Sequence, residues 1–161
     1  MENTAIVYYS LDGNTDRIAK RIAEKTGATL VRLEPKRAYP RKGLKKFFIG
    51  GRDAIFGAEP ELKDPLPDFA PFKNVVIGTP VWASRPAPPV TAFLKRAKLG
   101  GKRIALFACS GGGSAETCLN KMEALLRGNT IAVRASFVNP ARKSGKDLDG
   151  TIDTIVSALS D

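Results

Sequence analysis

The 161-residue chain contains no histidine. That absence excludes serine–histidine triads, cysteine–histidine dyads and every metal site that needs an imidazole. Only two cysteines occur, Cys109 and Cys118. They are too few for a four-thiolate zinc or iron–sulfur site within one chain, and too few for a disulfide framework. A cytoplasmic, reducing setting is therefore expected. No apolar run approaches the ~20 residues of a membrane span, and Met1-Glu2-Asn3 opens without the basic start and apolar stretch of a secretory signal. Acid is scarce too. Sixteen Asp and Glu stand against 26 Lys and Arg, giving +10, and no carboxylate lies between Asp68 and Glu116. With nucleophile–base pairs and metal sites removed, demanding chemistry falls to a bound cofactor.

What is present is an alternation of apolar runs and amphipathic stripes. The length predicts one domain over residues 1–161. Ala5–Tyr9 is a β-prone run of the kind a parallel sheet buries on both faces. Ile18, Ala19, Ile22 and Ala23 then fall on one helical stripe that Gly27 ends. Thr29–Leu33 reads as an edge strand because it holds Arg32. Asn74–Thr79 and Ile104–Ala108 read as buried strands, and Thr130–Val138, with Arg134, as the other edge. Helices follow with stripes at Val90, Phe93, Leu94 and Ala97; at Cys118, Met122, Leu125 and Leu126 after a Ser114 cap; and at Leu148, Ile152, Ile155, Val156 and Leu159. Leu44, Phe47, Phe48, Gly51 and Ile55 predict a further helix from about Arg41 to Phe56 with those residues buried. Five strands joined by helices predict an α/β doubly wound parallel sheet, helices on both faces.

In such a sheet, ligands bind beyond the carboxyl ends of the strands. Three loops there invite one. Ser10-Leu11-Asp12-Gly13-Asn14-Thr15 runs straight into a helix, whose N-terminal N–H groups and dipole suit a phosphate; the same residues also suit a capped turn. Thr79-Pro80-Val81-Trp82-Ala83-Ser84 holds the single tryptophan, placed either to stack on a planar ring or to cover the core. Cys109-Ser110-Gly111-Gly112 offers glycines that admit a ligand close to the backbone. Neither cysteine has a histidine to activate it, and both read as structural.

In that order the three loops resemble the flavodoxin family along nearly the whole chain. Tyr9 to Thr15 is similar to its phosphate loop for flavin mononucleotide (FMN). Gly78-Thr79-Pro80-Val81-Trp82 and Ser110-Gly111-Gly112 are similar to its two isoalloxazine loops. The resemblance implies strand order 2-1-3-4-5 and a non-covalent FMN. Ser10, Asp12, Gly13, Asn14 and Thr15 would surround its phosphate, and Thr79 would bond the phosphate or ribityl chain. Trp82 would stack on the ring, and Ser110 and Gly111 would meet the pyrimidine edge. Ser84 stands where many relatives have glycine, and a residue with a Cβ resists positive φ there. The implied function is electron transfer between a reductase and an acceptor. The alternatives are an FMN-dependent NAD(P)H oxidoreductase of the quinone-reductase type and a basic interaction module without redox chemistry. The run Lys36, Arg37, Arg41, Lys42, Lys45, Lys46 and Arg52 has no acid between Glu34 and Asp53. It predicts a redox partner with an acidic docking surface, ahead of nucleic acid, because Phe47 and Phe48 fall on the stripe read as buried.

Overall fold

The computed structural model describes residues 3–160; Met1 and Glu2, on which the reading of the amino terminus rests, lie outside the described residues, as does Asp161. The strands are β1 (Thr4–Tyr8), β2 (Thr29–Arg32), β3 (Asn74–Trp82), β4 (Arg85–Pro86), β5 (Arg103–Ser110) and β6 (Thr130–Val138). The α-helices are α1 (Asn14–Thr26), α2 (Leu44–Ile55), α3 (Pro88–Arg96), α4 (Glu116–Ala124) and α5 (Gly145–Ala158). The sheet runs β2-β1-β3-β5-β6 with every neighbouring pair parallel. This is the expected order, with Arg32 and Arg134 on the two edge strands. Arg134 satisfies its guanidinium on Glu116, Asn120 and Glu123 of α4.

Alternation along the central strands builds two cores. Ala5, Val7, Val75, Ile77, Ile104 and Leu106 face α3 and α4, packing on Phe93, Leu94, Cys118 and Met122. Ile6, Tyr8, Val76, Ala105 and Phe107 face α1 and α5, packing on Ile18, Ile22, Leu148, Ile152 and Ile155. The stripes read for these helices are buried, with Ala23, Ala97 and Val156 half-buried at their margins, except that Leu125 lies past the end of α4 and is exposed. Ser114 accepts the Glu116 N–H one residue ahead of the observed cap position, Ala115.

The structure corrects expectation at two points. β3 and β5 run on through residues read as loop, to Trp82 and Ser110. β3 then turns back through Ala83 and Ser84 into β4, with Trp82 opposite Arg85. A two-residue hairpin loop favours positive φ, and Ala83 and Ser84 adopt 49° and 60° although neither is glycine. Ser84 therefore occupies the conformation its Cβ was expected to resist, because hairpin closure imposes it.

The second correction is α2. It begins at Leu44, not Arg41, after Gly43. Its stripe is inverted: Leu44, Phe47, Phe48 and Ile55 are exposed, while Gly50 and Ala54 are the buried residues. The reason is Trp82. A Cβ on Gly50 would stand 3.1 Å from the indole ring, so the helix can approach only through its small residues.

Candidate functional site

The carboxyl ends of β1, β3 and β5 converge on a cavity of about 230 Å³. Its walls come from all three loops: Ser10, Leu11, Asp12, Asn14 and Thr15 after β1; Pro80, Val81 and Trp82 at the end of β3; Cys109, Ser110 and Gly111 at the end of β5. These segments lie far apart in the chain, and the parallel register brings them together, with Tyr8 opposite Gly78 and Pro80 opposite Cys109.

The first loop is held by its own atoms. Gly13 is the N-cap of α1 with φ 91°, a left-handed conformation that glycine adopts without strain. Its N–H donates to Ser10 Oγ at 3.1 Å, and its carbonyl accepts from Arg17 N–H at 3.0 Å. Neither Asn14 nor Thr15 caps the helix with its side chain. The first N–H groups of a helix have no partner within it, so the N-terminus of α1 presents donors and a positive dipole end to the cavity. Arg32, reaching over from β2, donates to the Ser10 carbonyl at 3.2 Å. Below the loop, the Tyr8 hydroxyl donates to Asp16 Oδ1 at 2.7 Å. Burial opposes ionisation of Asp16, but hydrogen bonds from Lys20 and Tyr8 and the charge of Arg32 hold its carboxyl below the ordinary range.

Two hydroxyls on the cavity wall are conspicuous. Thr15 Oγ1 and Ser110 Oγ are buried with no nitrogen or oxygen partner. Buried hydroxyls are normally bonded, and each orphan costs roughly 1–3 kcal/mol. The Ser110 carbonyl, by contrast, accepts from Asn139 N–H at 2.8 Å, so the backbone is fixed while the side chain is not. Burial pushes the thiol of Cys109 up to about 12, with the adjacent Thr15 hydroxyl opposing. Cys118 is likewise buried, and burial pushes its thiol to about 12. Both remain thiols near neutrality, in keeping with structural roles.

Trp82 packs on the core and also borders the cavity. Its ring packs edge-on against Tyr9 (centroids 5.7 Å, 86°) and Tyr39 (5.1 Å, 77°), and it also lines the cavity. The remaining candidates lie elsewhere. Thr79 is fully buried, its hydroxyl donating to the Pro80 carbonyl and accepting the Ala87 N–H, both at 2.9 Å. It takes no part in the cavity wall. Ala83 lines a neighbouring hollow with Lys46 and Phe47. Ser84 and Gly112 line neither.

Lys46 and Phe47 complete the cavity and were not among the residues singled out for it. Lys46 Nζ reaches across to Asp12 Oδ2 at 2.6 Å. That pairing settles where the one carboxylate of the first loop goes: it is neutralised from α2. The basic run carried a signal for a cation, but not for which of its lysines would fold inward. Among the described residues, no group of three or more His, Cys, Asp or Glu could hold a metal ion, and no helix is long and apolar enough to cross a membrane.

The arrangement is one of N–H donors, unpartnered hydroxyls, an indole and small backbone-exposing residues, without an acid–base pair. It suits a bound planar, phosphorylated molecule rather than hydrolytic chemistry. The Flavodoxin family model matches residues 3–152. Among solved structures, a flavoprotein from Lactobacillus acidophilus NCFM in complex with FMN is 22% identical with a TM-score of 0.74, covering 94% of this chain and 99% of that one. A putative flavoprotein from Bacteroides uniformis is 21% identical with a TM-score of 0.79, covering 94% and 98%. A WrbA-like flavodoxin from Agrobacterium tumefaciens is 19% identical with a TM-score of 0.63, covering 99% and 96%. Among curated proteins no match is found.

Proposed function

The chain belongs to the flavodoxin family, whose cofactor is FMN, and from that premise we propose that residues 1–161 form one domain that carries FMN in the cavity and transfers electrons between a reductase and an acceptor. The observation that supports this most is the pair of orphan hydroxyls, Thr15 Oγ1 and Ser110 Oγ, on the first and third loops of a cavity that ends three parallel strands. Each is buried without a nitrogen or oxygen partner, Thr15 lying against the Cys109 thiol. FMN, when bound, supplies reversible acceptance of electrons.

The protein's own residues bind, orient and tune. The α1 N-terminus and the Thr15 hydroxyl hold a phosphate, and Gly13 keeps the loop in the conformation that aims those groups. Lys46 cancels the Asp12 charge that would otherwise repel a dianion. Trp82, braced by Tyr9 and Tyr39, offers a fixed apolar wall to the ring. Ser110 and Gly111 meet the ring's polar edge. No carboxylate stands between Asp68 and Glu116, so the ring-binding loops carry no negative charge. Negative charge gained on reduction is therefore less opposed than in an acidic relative, which raises the potential of the last electron. The cations near the cavity mouth suit a redox partner with an acidic docking surface.

Anaerobic reduction tests the assignment. A carrier stays oxidised in NAD(P)H alone and is reduced once a catalytic amount of a flavodoxin reductase is added. Rapid reduction by NAD(P)H alone, with turnover on a quinone, makes the protein an oxidoreductase instead.

A further inference from the structure

Helix α2 turns its large apolar side chains to solvent. Leu44, Phe48, Gly51 and Ile55 succeed one another at the spacing of one helix face, with Phe47 beside them and Phe56 just past the carboxyl end. Leu44, Phe47, Phe48 and Phe56 are 75%, 71%, 72% and 81% exposed, and Ile55 is 51% exposed. Single exposed apolar residues need no explanation, but several large ones on one short helix mark an interaction surface. Around them Arg41, Lys42 and Lys45 are exposed, as is Arg52, which pairs with Asp53, and no acid precedes Asp53 back to Glu34.

We propose that the outer face of α2 docks on an anionic lipid bilayer, its apolar side chains entering the headgroup–acyl boundary and its lysines and arginines resting among the phosphates. Charge complementarity selects an anionic occupant. A second copy of the chain would set Lys42 and Lys45 against the same residues, like charge on like, in a molecule already at +10. Side-chain type and shape then select the bilayer among anionic surfaces. Nucleic acid uses exposed rings for stacking and has no use for Leu44 and Ile55. A folded acidic protein must offer a groove matched to this convex ridge. A membrane interface accepts any apolar ridge flanked by cations. Each cation near an anionic surface strengthens binding roughly fivefold, an effect that salt weakens. The docking does not depend on what the cavity holds.

The test is co-sedimentation of the full chain with large vesicles of phosphatidylcholine, with and without phosphatidylglycerol. We expect binding to the phosphatidylglycerol vesicles, at least tenfold weaker binding to phosphatidylcholine alone, and release by high salt. Phe48→Ser with Ile55→Ser touches exposed side chains outside the cavity. It should lower vesicle binding at least roughly tenfold while far-UV circular dichroism and FMN affinity stay unchanged. Lys42→Glu with Lys45→Glu should abolish the lipid-charge dependence. No binding to anionic vesicles, equal binding by the Phe48/Ile55 variant, or a stable dimer that buries this face would each overturn the proposal. So would single-stranded oligonucleotide binding lost in the same variant while vesicle binding is not.

Discussion

Replacing Thr15 by valine should move stability and FMN affinity in opposite directions. Thr15 is 1% exposed and Ser110 7%, and their hydroxyl oxygens have no nitrogen or oxygen partner. Valine reproduces the shape of threonine, and the two have similar helix propensities, so the backbone at the start of α1 is not disturbed. The substitution removes a desolvated hydroxyl worth about 1–3 kcal/mol in the FMN-free protein. The FMN-free protein should gain about 1 kcal/mol of stability, a rise in Tm of roughly 2–4 °C for a domain of this size. FMN affinity should fall, because a hydrogen bond to a charged acceptor contributes about 1.5–3 kcal/mol. That corresponds to a Kd increase of roughly tenfold to a hundredfold. Ser110→Ala should show the same pair of signs with a smaller affinity loss, its acceptor being a neutral ring edge. Thermal denaturation of FMN-free protein and titration with FMN measure the two halves separately. Lower stability with unchanged FMN affinity would refute the reasoning and return both hydroxyls to ordinary structural duty.

Trp82→Ala should weaken FMN binding and brighten the fluorescence of bound flavin by removing an aromatic quencher; unchanged affinity and quenching would leave the indole as a brace for Tyr9, Tyr39 and Gly50 alone. Ser84→Gly should stabilise the protein by about 1 kcal/mol, since Ser84 sits at φ 60° where a Cβ is strained; chemical denaturation reads this, and a loss of stability would contradict it. Stability should also fall in alkali. Burial pushes the thiols of Cys109 and Cys118 and the phenol of Tyr9 to about 12, above their ordinary values of about 8.5 and 10. The unfolded chain therefore ionises first: the contribution is complete below about pH 8.5 and is lost as pH rises toward 12. Tm should decline progressively above about pH 9, less steeply when both cysteines are alanine, and an unchanged slope in that variant would disprove the thiols' part.

The sheet was legible because its central strands are unbroken apolar runs, and a strand buried on both faces has few other readings. The loops were legible because glycine, serine and asparagine directly ahead of a helix have a restricted set of uses. Helix α2 shows where such reading stops. Periodicity reveals that a face is apolar, not what covers it. Here the apolar face is bare, because α2 meets Trp82 through Gly50, where no larger residue fits, and turns its large side chains away. The same limit explains Lys46. Nothing in a run of lysines distinguishes the one that folds inward to Asp12, since that depends on a crossover carrying α2 past the first loop. Thr79 lies off the cavity wall for the converse reason. Its position near the carboxyl end of β3 suited a ligand, but hairpin closure of β3 on β4 brought the Ala87 N–H to its hydroxyl first. The hairpin itself was hidden by Pro80 and Pro86, which read as loop; instead Pro86 pairs with Val81 in the hairpin and Pro80 pairs with Cys109 of β5.

The most direct measurement is a fluorescence titration of FMN into the FMN-free protein at moderate salt, repeated with riboflavin. In the proposed function the loop ahead of α1 offers its donors to the phosphate and Trp82 borders the ring. One equivalent of FMN should therefore bind with quenched flavin emission, and riboflavin at least roughly tenfold more weakly. Absence of FMN binding, or equal affinity for riboflavin, would contradict the account at its centre.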